Sequence, residues 1–278
     1  VCVRRSIGTI PAMPPAADRL EAGIRRSASW LRRELAEIRF PMLAALAVML
    51  LGYGYAATQF QLAGDDWFAV FPANGLDEQY TLNSGRWMQY LFNIDGYAPG
   101  FTIPLAGIGF LLAGWLAARV WGWARGAPLF VTASLFAVNP VLTELLAFKQ
   151  AHVMQALAAV AAVGAAALVV ARPRRLDAAT LIPAVLLLTI VYATYQPLAA
   201  ITVVVWAGAE TAHRIIHRDT SGRDLLGRTV RLGIAGVGSL ALWAISVRLL
   251  WWATGTGSLR GTTYDLASGY VGPTTVLS

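Results

Sequence analysis

Asp65 and Asp66 stand side by side in Gly64-Asp65-Asp66-Trp67, straight after a long apolar run, in a chain of which only 13% is charged. An Asp in such a place can serve as a general base, as a metal ligand or as a solvated loop charge. Two of them at the exit of a membrane helix would be partly desolvated and would repel one another. Both effects raise the pKa of one carboxyl, as a base requires. About twenty residues on, Leu82-Asn83-Ser84-Gly85-Arg86-Trp87 brings a cation, Arg86; Lys149, the only lysine, brings another. Either can offset an anionic head group. Trp67 and Trp87 suit the membrane–water interface, where tryptophans act as anchors. The mixture fits membrane-embedded chemistry on a lipid phosphate.

The elements that must position these residues are membrane helices. The chain has 57% hydrophobic residues, ten Trp and several charge-free runs near twenty residues, with a mean hydropathy of +0.57. This composition excludes an ordinary soluble globule and indicates an all-α polytopic membrane protein. The net charge of +7 does not point to nucleic acid, because the basic residues lie mainly between apolar runs, as in cytoplasmic loops. The single cysteine, Cys2, excludes an intramolecular disulfide framework.

Counting runs of about 20 residues places spans near 40–60, 99–121, 127–147 and 151–171. The 32 uncharged residues from Ala178 to Ala209 are long for one helix and short for two. Basic clusters flank them on both sides: Arg172, Arg174 and Arg175 before, and Arg214, Arg218, Arg223, Arg228 and Arg231 after. Two short helices broken near Tyr195-Gln196-Pro197 keep both clusters on the cytoplasmic side, and Pro197 is tolerated where the returning helix starts. With a last span near 232–253, about seven transmembrane helices result. The first 39 residues hold eight Arg against four acidic residues and form a basic cytoplasmic segment, either an interfacial amphipathic helix or a solvated tail. Residues 40–278 form the membrane domain. Its long first outer loop, near 61–98, carries five acidic residues against Arg86.

The segments "GDDW…SGRW", "NPVLTELLAFKQAHVM" (139–154) and "YATYQPLAAITVVVW" (192–206) resemble, in this order, the bacterial GtrII-type glucosyl transferases, polytopic proteins of the broad GT-C class. Asp65, Asp66, Gly85, Arg86, Asn139, Pro140, Glu144, Tyr195 and Gln196 fit the family pattern, and Lys149 stands where Arg is usual. Leu145, Phe148 and Ala151 depart from the usual Asn, Tyr and Asp, which leaves Glu144 and Lys149 as the candidates of that segment. Family members usually continue into further helices, so the resemblance implies a chain truncated at its C-terminus.

The resemblance implies an enzyme of the bacterial inner membrane. It would transfer a hexose, glucose by the family's activity, from a polyprenyl-phosphate donor to a glycan such as O-antigen or lipopolysaccharide on the outer face, with a cytoplasmic N-terminus. Asp65 or Asp66 would take the acceptor proton. Arg86 and Lys149 would hold the departing phosphate. Glu144 and Gln196 would orient sugar hydroxyls, with Tyr195 and Trp87 beside them. The implied partners are the lipid-linked donor, the glycan acceptor, membrane lipid, a separate flippase and a donor-synthesising enzyme, and no nucleic acid. No cofactor is implied; a divalent ion at the acidic pair is the less favoured alternative.

Two other functions compete. A lipid-linked sugar flippase or transporter would place its ionisable groups near the midplane, where only Glu144, Arg248 and the break at Gln196-Pro197 fall. A non-catalytic envelope assembly subunit is the second. The pair His213 and His217 shares a helical face but lacks a convincing third metal ligand.

Overall fold

The computed structural model describes residues 16–58, 82, 85–91, 99–138, 152–171, 177–217 and 222–254. All regular structure among them is helical: α1 (Ala16–Thr58), α2 (Trp87–Leu91), α3 (Pro99–Val120), α4 (Gly126–Val138), α5 (His152–Ala171), α6 (Ala178–Thr194), α7 (Ala199–His217) and α8 (Gly222–Thr254). Four of these contain segments long and apolar enough to cross a membrane: Glu34–Tyr53 in α1, Phe101–Val120 in α3, Val153–Ala171 in α5, and α8. Helices α4 and α6 are apolar but shorter. Glu210, His213 and Arg214 fall in the last two turns of α7, which is not among the four.

Helix α5 is the centre of the bundle, packing against α3, α6, α7 and, more lightly, α8. Its sequence explains why. Ala156, Ala158, Ala159, Ala162, Ala165 and Ala166 are buried, and small side chains let helix backbones approach closely where lipid supplies no hydrophobic drive. A methyl group on Gly109 of α3 would lie 2.8 Å from Ala156 Cβ. On the other side of α3, a methyl on Gly114 would lie 2.7 Å from Ala133 Cα of α4. Phe110, Met49, Val163, Val191 and Val205 fill the space between these contacts.

Two buried hydroxyls bond carbonyls of neighbouring helices, since an unpaired polar group is costly in an apolar interior. Tyr53 Oη donates to Ala137 O at 2.7 Å, joining α1 to α4. Thr202 Oγ1 donates to Ala162 O at 3.0 Å, joining α7 to α5.

The long apolar run does break at Tyr195-Gln196-Pro197. Helix α6 starts at Asp177, whose carboxylate caps Ala179 N at 3.0 Å, and stops at Thr194. Tyr195 is extended (φ −158°, ψ 104°), a 3-10 turn covers Gln196–Leu198, and α7 begins at Ala199. Pro197 fits because the first residues of a turn need no N–H partner.

The bundle has a charged end and an aromatic end. At the charged end Glu34 of α1 pairs with Arg119 of α3, and Glu37 pairs with Arg125 at 2.6 Å. Arg228 and Arg231, read from sequence as loop charges before a span starting at 232, lie inside α8 and are buried. The helix extends through them because Gly222–Arg231 contains no proline and each guanidinium turns inward to a partner. Arg228 Nη1 meets Glu210 Oε1 at 3.1 Å; Arg231 Nη2 donates to Leu168 O at 2.8 Å and Thr180 Oγ1 at 2.7 Å. Residues 16–39 are helical from Ala16 and continue into the apolar half of α1 without a break at the boundary expected between residues 39 and 40.

Candidate functional site

The aromatic end collects the sequence-predicted residues that fall in the described part of the chain: Arg86, Trp87, Tyr195 and Gln196. Asp65, Asp66, Glu144 and Lys149 lie outside the described residues.

The segment that presents Arg86 is a tight turn. Gly85 N donates to Leu82 O at 3.1 Å, and Gly85 takes a positive φ of 74°, which costs other residues energy but not glycine. Two tryptophans of α8 fasten this turn. Trp243 Nε1 donates to Gly85 O at 3.0 Å, and Trp251 Nε1 donates to Leu82 O at 3.1 Å. A third indole closes from the other side: Trp87 Nε1 donates to Ser246 Oγ at 3.0 Å, while Ser246 itself donates to Trp243 O at 2.7 Å. Residues 243, 246, 247 and 251 are spaced three, four and eight apart, so they share one face of α8. Gly85 sits flush against that face; a methyl group there would lie 2.7 Å from Trp243 Cζ2 and 3.2 Å from Val247 Cγ2.

With the turn fixed, Arg86 projects over the Tyr195 ring, its Cζ 4.9 Å from the ring centroid. At that distance the ring face attracts the cation. Its Nε is buried and has no hydrogen-bond partner among the described residues. A guanidinium carries five donors in a planar fork, so a stacked ring leaves its N–H edge available for an anion. Tyr195 is held in turn by the extended link between α6 and the 3-10 turn, the position that also brings Gln196 to this end. Tyr192, one turn earlier on α6, packs against Trp243 with ring centroids 6.3 Å apart. Trp243 thus touches both strands of the arrangement, the Arg86 turn and the helix that ends in Tyr195.

Beside this cation is an apolar cavity of about 390 Å³ between α5 and α6, lined by Met88, Met154, Leu157, Leu187, Ile190 and Thr194 among others. Met88 follows Arg86 by two residues and Thr194 precedes Tyr195, so near neighbours of both members of the cation–ring pair line the cavity. Arg248, the other cation at this end among the described residues, lies exposed with its Cζ 5.9 Å from the Trp251 ring. Among the described residues no three His, Cys, Asp or Glu are grouped so as to hold a metal ion.

Trp243, Ser246 and Trp251 were missed in the sequence. Tryptophans on an apolar helix read as interfacial anchors, and their partners are 158 and 169 residues away in the chain.

A family model described as Glucosyl transferase GtrII matches residues 54–278, which include every residue of this site. No curated protein and no solved structure matches the chain.

Proposed function

The chain belongs to the GtrII glucosyl transferase family and is a glycosyltransferase, which requires a sugar donor and a glycan acceptor; on that premise we propose that the donor is a polyprenyl-phosphate hexose and the acceptor a surface glycan such as O-antigen. The observation that supports this reading is that the chain neighbours of the Arg86–Tyr195 pair, Met88 and Thr194, line an apolar cavity. A lipid-linked sugar phosphate has a hydrocarbon tail and an anion at adjoining positions, and here an apolar lining that includes Met88 and Thr194 adjoins in the chain the cation Arg86 and its ring partner Tyr195. A cavity of this size lies in the range of small-molecule sites, roughly 300–1,000 Å³, and would take the part of the lipid nearest the phosphate.

In the proposed reaction an acceptor hydroxyl attacks the anomeric carbon. The new carbon–oxygen bond forms as the bond to the phosphate oxygen breaks, which inverts the centre and releases polyprenyl phosphate. Asp65 or Asp66 accepts the hydroxyl proton. Arg86, assisted by Lys149, takes up the charge that develops on the leaving phosphate, where fixed cations act most strongly. Glu144 and Gln196 orient sugar hydroxyls. The Trp87 N–H is engaged by Ser246, which leaves its ring as the part able to stack on a sugar.

The residue distribution supports an orientation with the aromatic end outside the bacterial inner membrane and the basic N-terminal segment, residues 1–39, in the cytoplasm. Residues 40–278 are then the transferase domain, served by a separate flippase and a donor-synthesising enzyme.

The test is reconstitution of the purified protein in proteoliposomes with polyprenyl-phosphate glucose, labelled in the sugar, and a glycan acceptor. Label should move to the acceptor, and Arg86→Ala should abolish the movement. Label that crosses the bilayer while none reaches the acceptor would replace transfer by lipid-linked sugar transport.

A further inference from the structure

We infer that Trp243 is a positioning residue of the transfer reaction, acting through Arg86. This rests on the phosphate-binding reading of Arg86 given above.

Trp243 makes three contacts with distinct consequences. Its indole N–H holds the Gly85 carbonyl at 3.0 Å, one peptide unit before Arg86. Its ring edge lies where a Gly85 side chain would be, so the turn can seat only with glycine at that position. Its ring also packs on Tyr192, one turn before the tyrosine whose ring receives the guanidinium. One side chain therefore sets the distance between the turn bearing the cation and the helix bearing its aromatic seat. Trp251, two turns along the same face, fixes the other end of the turn through Leu82 O, and Ser246 fixes Trp87.

A long flexible arginine on an exposed loop would sample many positions, and a misplacement of about 1 Å can cost on the order of 100-fold in rate. The three indole hydrogen bonds remove that freedom from the backbone that carries Arg86. Trp243 itself touches no reacting group.

The experiment is a double-mutant cycle on the reconstituted enzyme, with Trp243→Phe, Arg86→Lys and the pair. Phenylalanine keeps one aromatic ring on this face of α8 and removes the hydrogen bond to the Gly85 carbonyl together with the indole edge that abuts Gly85. On the wild-type background W243F should lower the transfer rate about fivefold, the scale of one lost neutral hydrogen bond. It should also raise the KM for the lipid-linked donor but not that for the acceptor. On the R86K background, where the planar fork is already gone, W243F should cost less than about twofold. Trp252→Phe, on the exposed side of the same helix at 85% exposure, should leave both parameters unchanged.

Equal losses from W243F on both backgrounds would overturn the proposal, because Trp243 would then be serving the fold rather than Arg86. So would an unchanged rate in W243F. Absence of transfer in the wild-type enzyme, by contrast, would count against the donor and acceptor assignment, not against Trp243.

Discussion

Arg228 of α8 and Glu210 of α7 meet at 3.1 Å inside the bundle, each side chain about 95% removed from solvent. Glu210 is the only acid described in α7, and both of its oxygens lack a geometrically sound hydrogen bond among the described residues. The pair is held by charge rather than by a well-formed hydrogen-bond network. Removing one partner strands the other, which typically costs about 3–5 kcal/mol. Glu210→Ala or Arg228→Ala should therefore lower the unfolding temperature strongly in detergent or nanodiscs. The double replacement Glu210→Leu with Arg228→Met should recover most of the loss.

The partly exposed pair Glu37–Arg125 provides the contrast. Its side chains are 43% and 71% exposed, and such pairs contribute about 0–1 kcal/mol. Arg125→Ala should leave thermal stability nearly unchanged.

Glycine to alanine should affect stability differently at two sites. At Gly208 a methyl group would lie 2.6 Å from Trp121 Nε1 and Cε2, displacing the indole that donates to Val205 O at 2.9 Å. Overpacking of this kind costs about 1–3 kcal/mol. At Gly236 of α8 nothing lies within 4 Å of the added methyl, and the helix gains up to about 1 kcal/mol of propensity. Chemical denaturation of G208A and G236A should show a loss for the first and no loss, or a gain, for the second.

For catalysis, Asp65→Asn and Asp66→Asn separate the two carboxylates. The one that serves as base should lower the hexose transfer rate by about 10²–10⁴-fold without changing donor affinity. The other should have a smaller effect. Steady-state rates with donor and acceptor varied independently measure both quantities.

Tyr195→Phe should keep the seat for Arg86, and Tyr195→Leu should remove it. A cation over an aromatic face contributes about 0.5–2 kcal/mol. The leucine variant should therefore bind donor roughly 2- to 30-fold more weakly than the phenylalanine variant, as read from the KM for the lipid-linked donor.

The positions of the helices were legible because their causes are local. Apolar runs of bilayer length, Pro197 after Gln196 and basic clusters at both ends of Ala178–Ala209 are visible in a single pass along the chain. Arg86 and Tyr195 could be picked out from residue type and order, but not their contact, which depends on how α6 and α8 pack. Arg228 and Arg231 misled because an arginine beside an apolar run resembles a loop charge. Only the neighbouring helices supply the carboxylate, hydroxyl and carbonyl that let these two be buried. Trp243 and Trp251 escaped notice for the same reason: a donor on one helix carries no local sign of an acceptor more than 150 residues earlier.

Helix α1 runs 43 residues, which at 1.5 Å per residue makes a rod about 65 Å long. A hydrocarbon layer about 30 Å thick takes up less than half of it. Glu34 and Glu37, at the start of the apolar half, pair with Arg119 and Arg125. By length alone the helix outruns the bilayer, so its basic N-terminal half lies outside the hydrocarbon.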